Sequence, residues 1–242
     1  EKVFGKKPPL KLAYEFFLSG GKKMSSSKGI GLTGEELVEV LGTQRARFLM
    51  IKSPPNQAVE FTPYDTDSIP KVFDDYQLAS SSKDDIQRAF ELSQKKEVES
   101  VSKIRFATLA QWVQMPNMEG QIKKGKLDEW AKFAKIWVEK YAPESERFLI
   151  AQEIPDQAKA LSDAQKQFLK NLIEKVDNAT DAEEFQKTIY ETATKVNLSS
   201  KEAFASIYAS LIGKDHGPKA AWLILSLDKE FLRKRFTEIS AS

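Results

Sequence analysis

From Lys83 nearly to the last residue, apolar side chains recur three or four positions apart. That spacing constrains the fold more than any other feature of the chain, because it is the period of helices that bury one face. Ile86, Ala89, Phe90 and Ser93 share one such face, and Ile104, Phe106, Leu109, Trp112 and Val113 form the next, ended by Met115-Pro116-Asn117. Leu127, Trp130, Ala134, Trp137, Val138 and Tyr141 make a strong amphipathic stripe closed by Pro143, and its aromatic residues read as core packing. Glu153-Ile154-Pro155 reads as a hinge. Beyond it, Ser162 caps a helix carrying Phe168, Leu169, Leu172, Ile173 and Val176, and Phe185, Ile189, Ala193 and Val196 mark a second. Ser199-Ser200-Lys201-Glu202 is a capping box leading into Phe204, Ile207, Tyr208, Leu211 and Ile212, with Gly213 as the stop. Gly217-Pro218 starts a short helix with proline in its first turn, and a last helix holds Phe231, Leu232, Phe236 and Ile239.

The first third is different. Residues 9–18 alternate, with Leu10, Leu12, Tyr14 and Phe16 on one side, and predict a strand. Thr33-Gly34-Glu35-Glu36 is a capping box for a short helix through Leu37, Val38, Val40 and Leu41 that ends near Gly42. A second helix follows over Thr43 to Lys52, stopped by Ser53-Pro54-Pro55-Asn56. Residues 53–70, with Pro54, Pro55, Pro63 and Pro70 among turn formers, read as a connector.

Between strand and helix lies the stretch richest in chemistry, Lys23-Met24-Ser25-Ser26-Ser27-Lys28-Gly29, preceded by Gly20-Gly21 and followed by Ile30-Gly31. Glycines on both sides let the backbone bend and approach a ligand without Cβ clashes. Serine hydroxyls and backbone N–H groups can donate to phosphate oxygens, and Lys23 and Lys28 can neutralise charge on a departing pyrophosphate. The order of residues is not that of a Walker loop. A strand running into such a loop is what the edge of an α/β nucleotide domain looks like.

Composition narrows the possibilities. With 242 residues, 41% hydrophobic and 30% charged, the chain has material for one large domain or two small ones with a well-solvated surface. Its net charge of +2 requires any nucleic-acid site to be a local patch. The absence of cysteine excludes a disulfide framework and cysteine-ligated zinc, and fits a cytoplasmic protein. No apolar run approaches the ~18–20 residues that cross a membrane, so no membrane partner is expected. A single histidine, His216, leaves no catalytic triad and no metal-ligand cluster, so no metal site is expected in the chain. The opening Glu1-Lys2-Val3-Phe4 reads like the middle of a sequence, and the chain is expected to be a piece of a longer protein.

A second constellation lies at 213–222, Gly-Lys-Asp-His-Gly-Pro-Lys-Ala-Ala-Trp. Lys214, His216 and Lys219 can contact a phosphate or a base edge, and Trp222 can stack on an unpaired base. An ordinary helix–helix turn with Trp222 in the core accounts for the same residues. Arg233, Lys234 and Arg235, like Lys123, Lys124 and Lys126, fit either a nucleic-acid contact or a solvated helix face.

Taken together, the chain resembles the C-terminal half to two-thirds of a class I lysyl-tRNA synthetase. The quoted segments follow the family's order. Tyr14-Glu15-Phe16-Phe17 enters the loop, and Lys23–Gly29 is similar to the Lys-Met-Ser-Lys-Ser signature of class I enzymes. Arg45 to Met50, Pro54-Pro55-Asn56, Asp74-Asp75-Tyr76 and the Gly213–Lys219 turn come after it. Ser26 stands where the common signature has lysine, and Lys28 serves as its replacement. The resemblance implies a mainly α protein: the end of a Rossmann-type catalytic domain (1–60), a helical connecting region (61–153) and an α-helical cage that binds the anticodon (154–242). It implies ATP, with Mg²⁺, and lysine as substrates of the full enzyme, and tRNA as partner. Lys23 and Lys28 would be catalytic. Met24, Ser25, Ser26, Ser27 and Gly29 would form the ATP loop, and Lys214, His216, Lys219, Trp222 and Arg233 would meet the tRNA. The family's other ATP-binding motif, of His-x-Gly-His type, is absent, so these residues alone are not expected to activate lysine. The alternatives are a non-catalytic RNA-binding helical module, or a class I synthetase for glutamate or cysteine.

Overall fold

A computed structural model of the chain describes residues 5, 10–95 and 101–241. The sheet is small. Strand β1 (Phe17–Ser19) lies between antiparallel β2 (Lys22–Lys23) and parallel β3 (Val59–Glu60). The remainder is helical: α1 (Gly34–Ile51), α2 (Ser68–Ala79), α3 (Asp85–Ser93), α4 (Phe106–Trp112), α5 (Glu119–Lys124), α6 (Asp128–Lys140), α7 (Asp156–Lys159), α8 (Asp163–Val176), α9 (Ala182–Lys195), α10 (Ser200–Ile212), α11 (Ala220–Ser226) and α12 (Lys229–Ala241). The chain divides into two compact units, Glu1–Phe106 with Glu139–Ala142, and Ala107–Val138 with Pro143–Ser242.

In the first unit the expected break at Gly42 is present as a kink. Gly42 alone leaves helical geometry, at φ 72° and ψ 164°, inside α1. That conformation is open to glycine at little cost. Thr33 accepts from Glu36 N–H while Glu36 reaches back to Thr33 N–H, so the predicted capping box forms. The helices α1, α2 and α3 pack around an aromatic core. Phe48 meets Tyr76 edge-on at 5.4 Å, Tyr76 meets Phe90 at 4.8 Å, and Phe73 stacks on Phe106 at 4.0 Å. Arg45 is fully buried among them: its Nε donates to Leu41 O, and its guanidinium lies 5.0 Å from the Phe73 ring centre.

The strand expected over residues 9–18 is shorter. Pro9 lies outside the described residues, and only Phe17 and Leu18 fall within β1. Leu10, Leu12 and Tyr14 are 96%, 72% and 78% exposed. Alternation marks a strand only where a neighbour completes the ladder. Residues 10–16 form no regular strand pairing, although Glu15 N–H donates to Pro55 O at 2.7 Å. Conversely, the segment read as a connector supplies β3 and the start of α2.

In the second unit the capped helices expected at Ser162 and Ser199 are present. Ser162 and Ser199 form capping boxes with Gln165 and Glu202, and Gly213 ends α10 in the left-handed conformation at φ 66°. Trp130, Trp137, Phe168, Leu172, Phe185, Ile207 and Phe236 are buried, so the aromatic stripe is core. The helix expected to start at Gly217-Pro218 begins two residues later, at Ala220, which puts Pro218 outside its first turn. The Pro218 carbonyl instead accepts from the buried Tyr208 hydroxyl at 2.6 Å, and burial pushes that phenol up to about 12.

Candidate functional site

The Lys23–Gly29 loop is built on a tight hairpin. Gly20 and Gly21 both have positive φ, 58° and 71°, the requirement of a two-residue turn whose twist matches the flanking strands. Leu18 pairs with Lys23 and Ser19 with Lys22, and Met24 N–H donates to Phe17 O at 2.9 Å. From β3, Glu60 reaches the turn: its carboxylate accepts from Gly20 N–H at 2.7 Å and from Gly21 N–H at 3.2 Å. Thr62 donates its hydroxyl to Glu60 at 2.7 Å, and this bond, with the two glycine amides, holds the Glu60 carboxyl below its ordinary range. The glycine amides therefore serve an internal carboxylate, and a phosphate would have to find its donors further along the loop.

The part after Met24 closes on itself. Ser25 and Ile30 exchange backbone bonds of 3.0 Å in both directions, and Lys28 N–H also donates to Ser25 O at 3.1 Å. A 3-10 turn over Ser26–Lys28 fills the interval, and Gly29 turns the chain at φ 62°. Ser25 Oγ and Ser27 Oγ lie 3.2 Å apart. The Ser26 side chain lies outside the described residues. Met24 seals the base of the loop: a Cβ added at Gly31, itself at φ 84°, would sit 2.6 Å from Met24 Cε. The hairpin and the six-residue closed loop fix the places from which Lys23 and Lys28 extend. Lys28 is exposed, whereas the Lys23 ammonium lies over the Phe16 ring, 3.7 Å from its centre. Glu60 and Thr62 carry no motif in the sequence, and Phe16 enters the sequence reading only as a strand-face residue leading into the loop. The alternation Val59-Glu60-Phe61-Thr62 beside the loop was the available signal.

The second constellation belongs to the second unit, where Lys214, His216 and Lys219, and Arg233 further along, each have an internal partner. Lys214 donates its ammonium to Glu144 O at 2.8 Å and to Arg147 O at 2.6 Å, which ties residues 144–147 to the turn after α10. His216 Nδ1 lies 2.5 Å from Asp215 Oδ1, both side chains exposed. Lys219 pairs with Glu183 at 3.2 Å, and Arg233 pairs with Asp177. Trp222 is half-buried, its ring centre 5.1 Å from that of Trp112. Arg235, grouped in the sequence with Arg233 and Lys234, does not join an exposed patch. It is 4% exposed and donates to Ser210 O, Ala151 O and Gln152 O at 2.8–2.9 Å. Lys123, Lys124 and Lys126 are exposed at and just past the end of α5.

Two family models divide the chain in the same order as these sites. One described as tRNA synthetases class I (K) matches residues 1–110, and one described as an anticodon binding domain matches residues 126–239. The chain belongs to the class I lysyl-tRNA synthetases. The Lys23–Gly29 loop of this synthetase chain falls in the first match, and Lys214, His216, Lys219, Trp222 and Arg233 fall in the second. The lysine–tRNA ligase of Pyrococcus horikoshii is 31% identical over 97% of this chain, and that of Pyrococcus furiosus is 32% identical over 96%. The lysine–tRNA ligase of Archaeoglobus fulgidus is 30% identical, also over 96%. The match covers 50%, 50% and 49% of those three relatives, so the chain spans about half the length of the curated relatives it matches. No described helix is long and apolar enough to cross a membrane.

Proposed function

We propose that this chain supplies the phosphate-facing signature loop and the anticodon-binding body of a lysine–tRNA ligase, an enzyme that activates lysine with ATP and transfers it to tRNA in the cytoplasm. The observation that carries the reading is the loop itself. A hairpin and a closed six-residue turn hold two lysines, Lys23 and Lys28, at its two ends, inside the stretch that matches a class I synthetase for lysine. Within the full ligase, Lys23 and Lys28 would stabilise negative charge as pyrophosphate leaves, and Ser25, Ser26, Ser27 and the Gly29 turn would shape the loop around the phosphates. Among the described residues no group of three acidic, histidine or cysteine side chains could hold a metal ion. The described residues therefore do not form a protein cage for Mg²⁺, and the ion that accompanies ATP would be bound chiefly through the phosphates.

For tRNA, the functional division into residues 1–60, 61–153 and 154–242 assigns the last segment to the anticodon arm. Exposed ion pairs are worth little, so Lys219 and Arg233 can exchange Glu183 and Asp177 for backbone phosphates. Lys214, held by two carbonyls, would act mainly by shaping the turn, with His216 beside it at the surface. Trp222, packed on Trp112, offers only part of its ring for stacking. Fluorescence anisotropy of a lysine anticodon stem-loop over a salt series tests the assignment. A Lys219→Ala, Arg233→Ala variant should bind more weakly, with a salt slope lower by a little under one unit for each phosphate it no longer neutralises. Unchanged affinity and slope would move the RNA surface elsewhere, with Lys123–Lys126 the next place to look.

A further inference from the structure

The two loop lysines are not equivalent. Lys28 is exposed, while the Lys23 ammonium sits on the Phe16 ring. The sheet explains the contact. Lys23 lies directly opposite Leu18, and Phe16, two residues before Leu18 and on the same side, is its diagonal neighbour, within reach of a long side chain. The main chain at Phe16 is held from the other direction, because Phe16 O accepts from Val59 N–H at 3.2 Å. Phe16 is nevertheless 48% exposed, so the packing that would hold a core phenylalanine does not account for its place.

We propose that Phe16 is a resting latch for Lys23: it holds the ammonium on its ring until a polyphosphate enters the loop, and the lysine then transfers to the phosphate. This deepens, and rests on, the reading of residues 23–29 as a polyphosphate loop. A cation over an aromatic face at an exposed site is a weak contact, weaker than a charge-assisted hydrogen bond to an oxyanion, so the transfer is downhill. The order of engagement follows. Lys28 meets the anion first, and Lys23 follows once the phosphate offers more than the ring. Phe16 is thus a positioning residue acting through Lys23. Because the latch competes with the ligand, removing the ring should tighten ground-state polyphosphate binding by about two- to fivefold, the equivalent of one such contact.

The test uses the 242-residue chain with its lysines reductively methylated with ¹³C, a change that keeps their charge. The Lys23 signal is assigned by Lys23→Arg and the Lys28 signal by Lys28→Arg. With no ligand, the Lys23 methyl signal should be displaced upfield by the ring current, while Lys28 is not. Phe16→Leu should abolish the displacement and Phe16→Tyr should keep it. Titration with inorganic tripolyphosphate should move the Lys28 signal and bring the Lys23 signal to its Phe16→Leu position, with a two- to fivefold lower dissociation constant in Phe16→Leu. An unshifted Lys23 in the free protein overturns the latch and leaves the loop's assignment standing. So does a Lys28 that responds while Lys23 stays on the ring, or a Phe16→Leu variant that binds more weakly. If tripolyphosphate moves neither lysine, the polyphosphate reading fails, and the latch fails with it.

Discussion

Arg235 offers the sharpest test of how the helical unit is held together. The carbonyls in the last turn of α10 have no partner within the helix. Leu211 O is taken by Ala151 N–H at 2.8 Å, and Ser210 O by the Arg235 guanidinium at 2.9 Å, while the same guanidinium holds Ala151 O and Gln152 O. One side chain of α12 thereby fastens residues 151–152 to the end of α10. In Arg235→Met the alkyl stem keeps its packing, and three buried or part-buried carbonyls are deprived of a charged donor. A hydrogen bond to a charged group contributes about 1.5–3 kcal/mol, but these three share one guanidinium and do not simply add, so the expected loss is about 3–5 kcal/mol. For a unit of this size that lowers the midpoint of its thermal transition by roughly 10–20 °C. Scanning calorimetry, with circular dichroism in urea alongside, reads the change directly. A loss below about 1 kcal/mol would refute the reasoning, and would mean that water or a neighbouring side chain replaces the donor at little cost.

Two further outcomes are expected in the first unit. Gly31→Ala should destabilise the closed loop by about 1–3 kcal/mol, since it combines a left-handed residue with a Cβ 2.6 Å from Met24, and faster amide exchange at Ser25 and Ile30 would report it. Glu60 has a folded-state pKa below the ordinary 4.5, first through the Thr62 hydroxyl, so its contribution to the hairpin is fully present above pH 4.5 and is lost as pH falls through the lower folded value. Gly20 and Gly21 amide exchange should accelerate in that acid window in the native protein, and a Glu60→Gln variant should lack the transition.

What the residues disclosed in advance was largely local. The capping boxes at Thr33 and Ser199, the cap at Ser162 and the break at Gly42 depend on neighbours three or four positions away, and each is found where its sequence placed it. The loop was readable for the same reason, because its lysines, serines and glycines are consecutive. What failed needed a distant partner. Residues 10–16 alternate like a strand, but alternation does not say whether a neighbouring strand exists. Arg233, Lys234 and Arg235 look alike as a run of charge. Only the arrival of Ala151, Gln152 and Ser210, remote in sequence, turns Arg235 inward and leaves Arg233 outside. Lys214 likewise meets carbonyls some seventy residues earlier, at 144 and 147, which no spacing rule anticipates. Glu60 went unnoticed because the prolines around it made its segment read as a connector, although its pairing with β1 brings it to the glycine turn.

The central claim is that the Lys23–Gly29 loop acts on charge that grows as pyrophosphate leaves. Its most direct test is lysine-dependent ATP–pyrophosphate exchange in the proposed full-length ligase containing this chain, compared between the parent and Lys28→Ala, with lysine affinity measured in parallel. The account predicts an exchange rate lower by about 10²–10³, the usual cost of one electrostatic donor in a transition state, with lysine binding unchanged. Normal exchange kinetics in Lys28→Ala would contradict it.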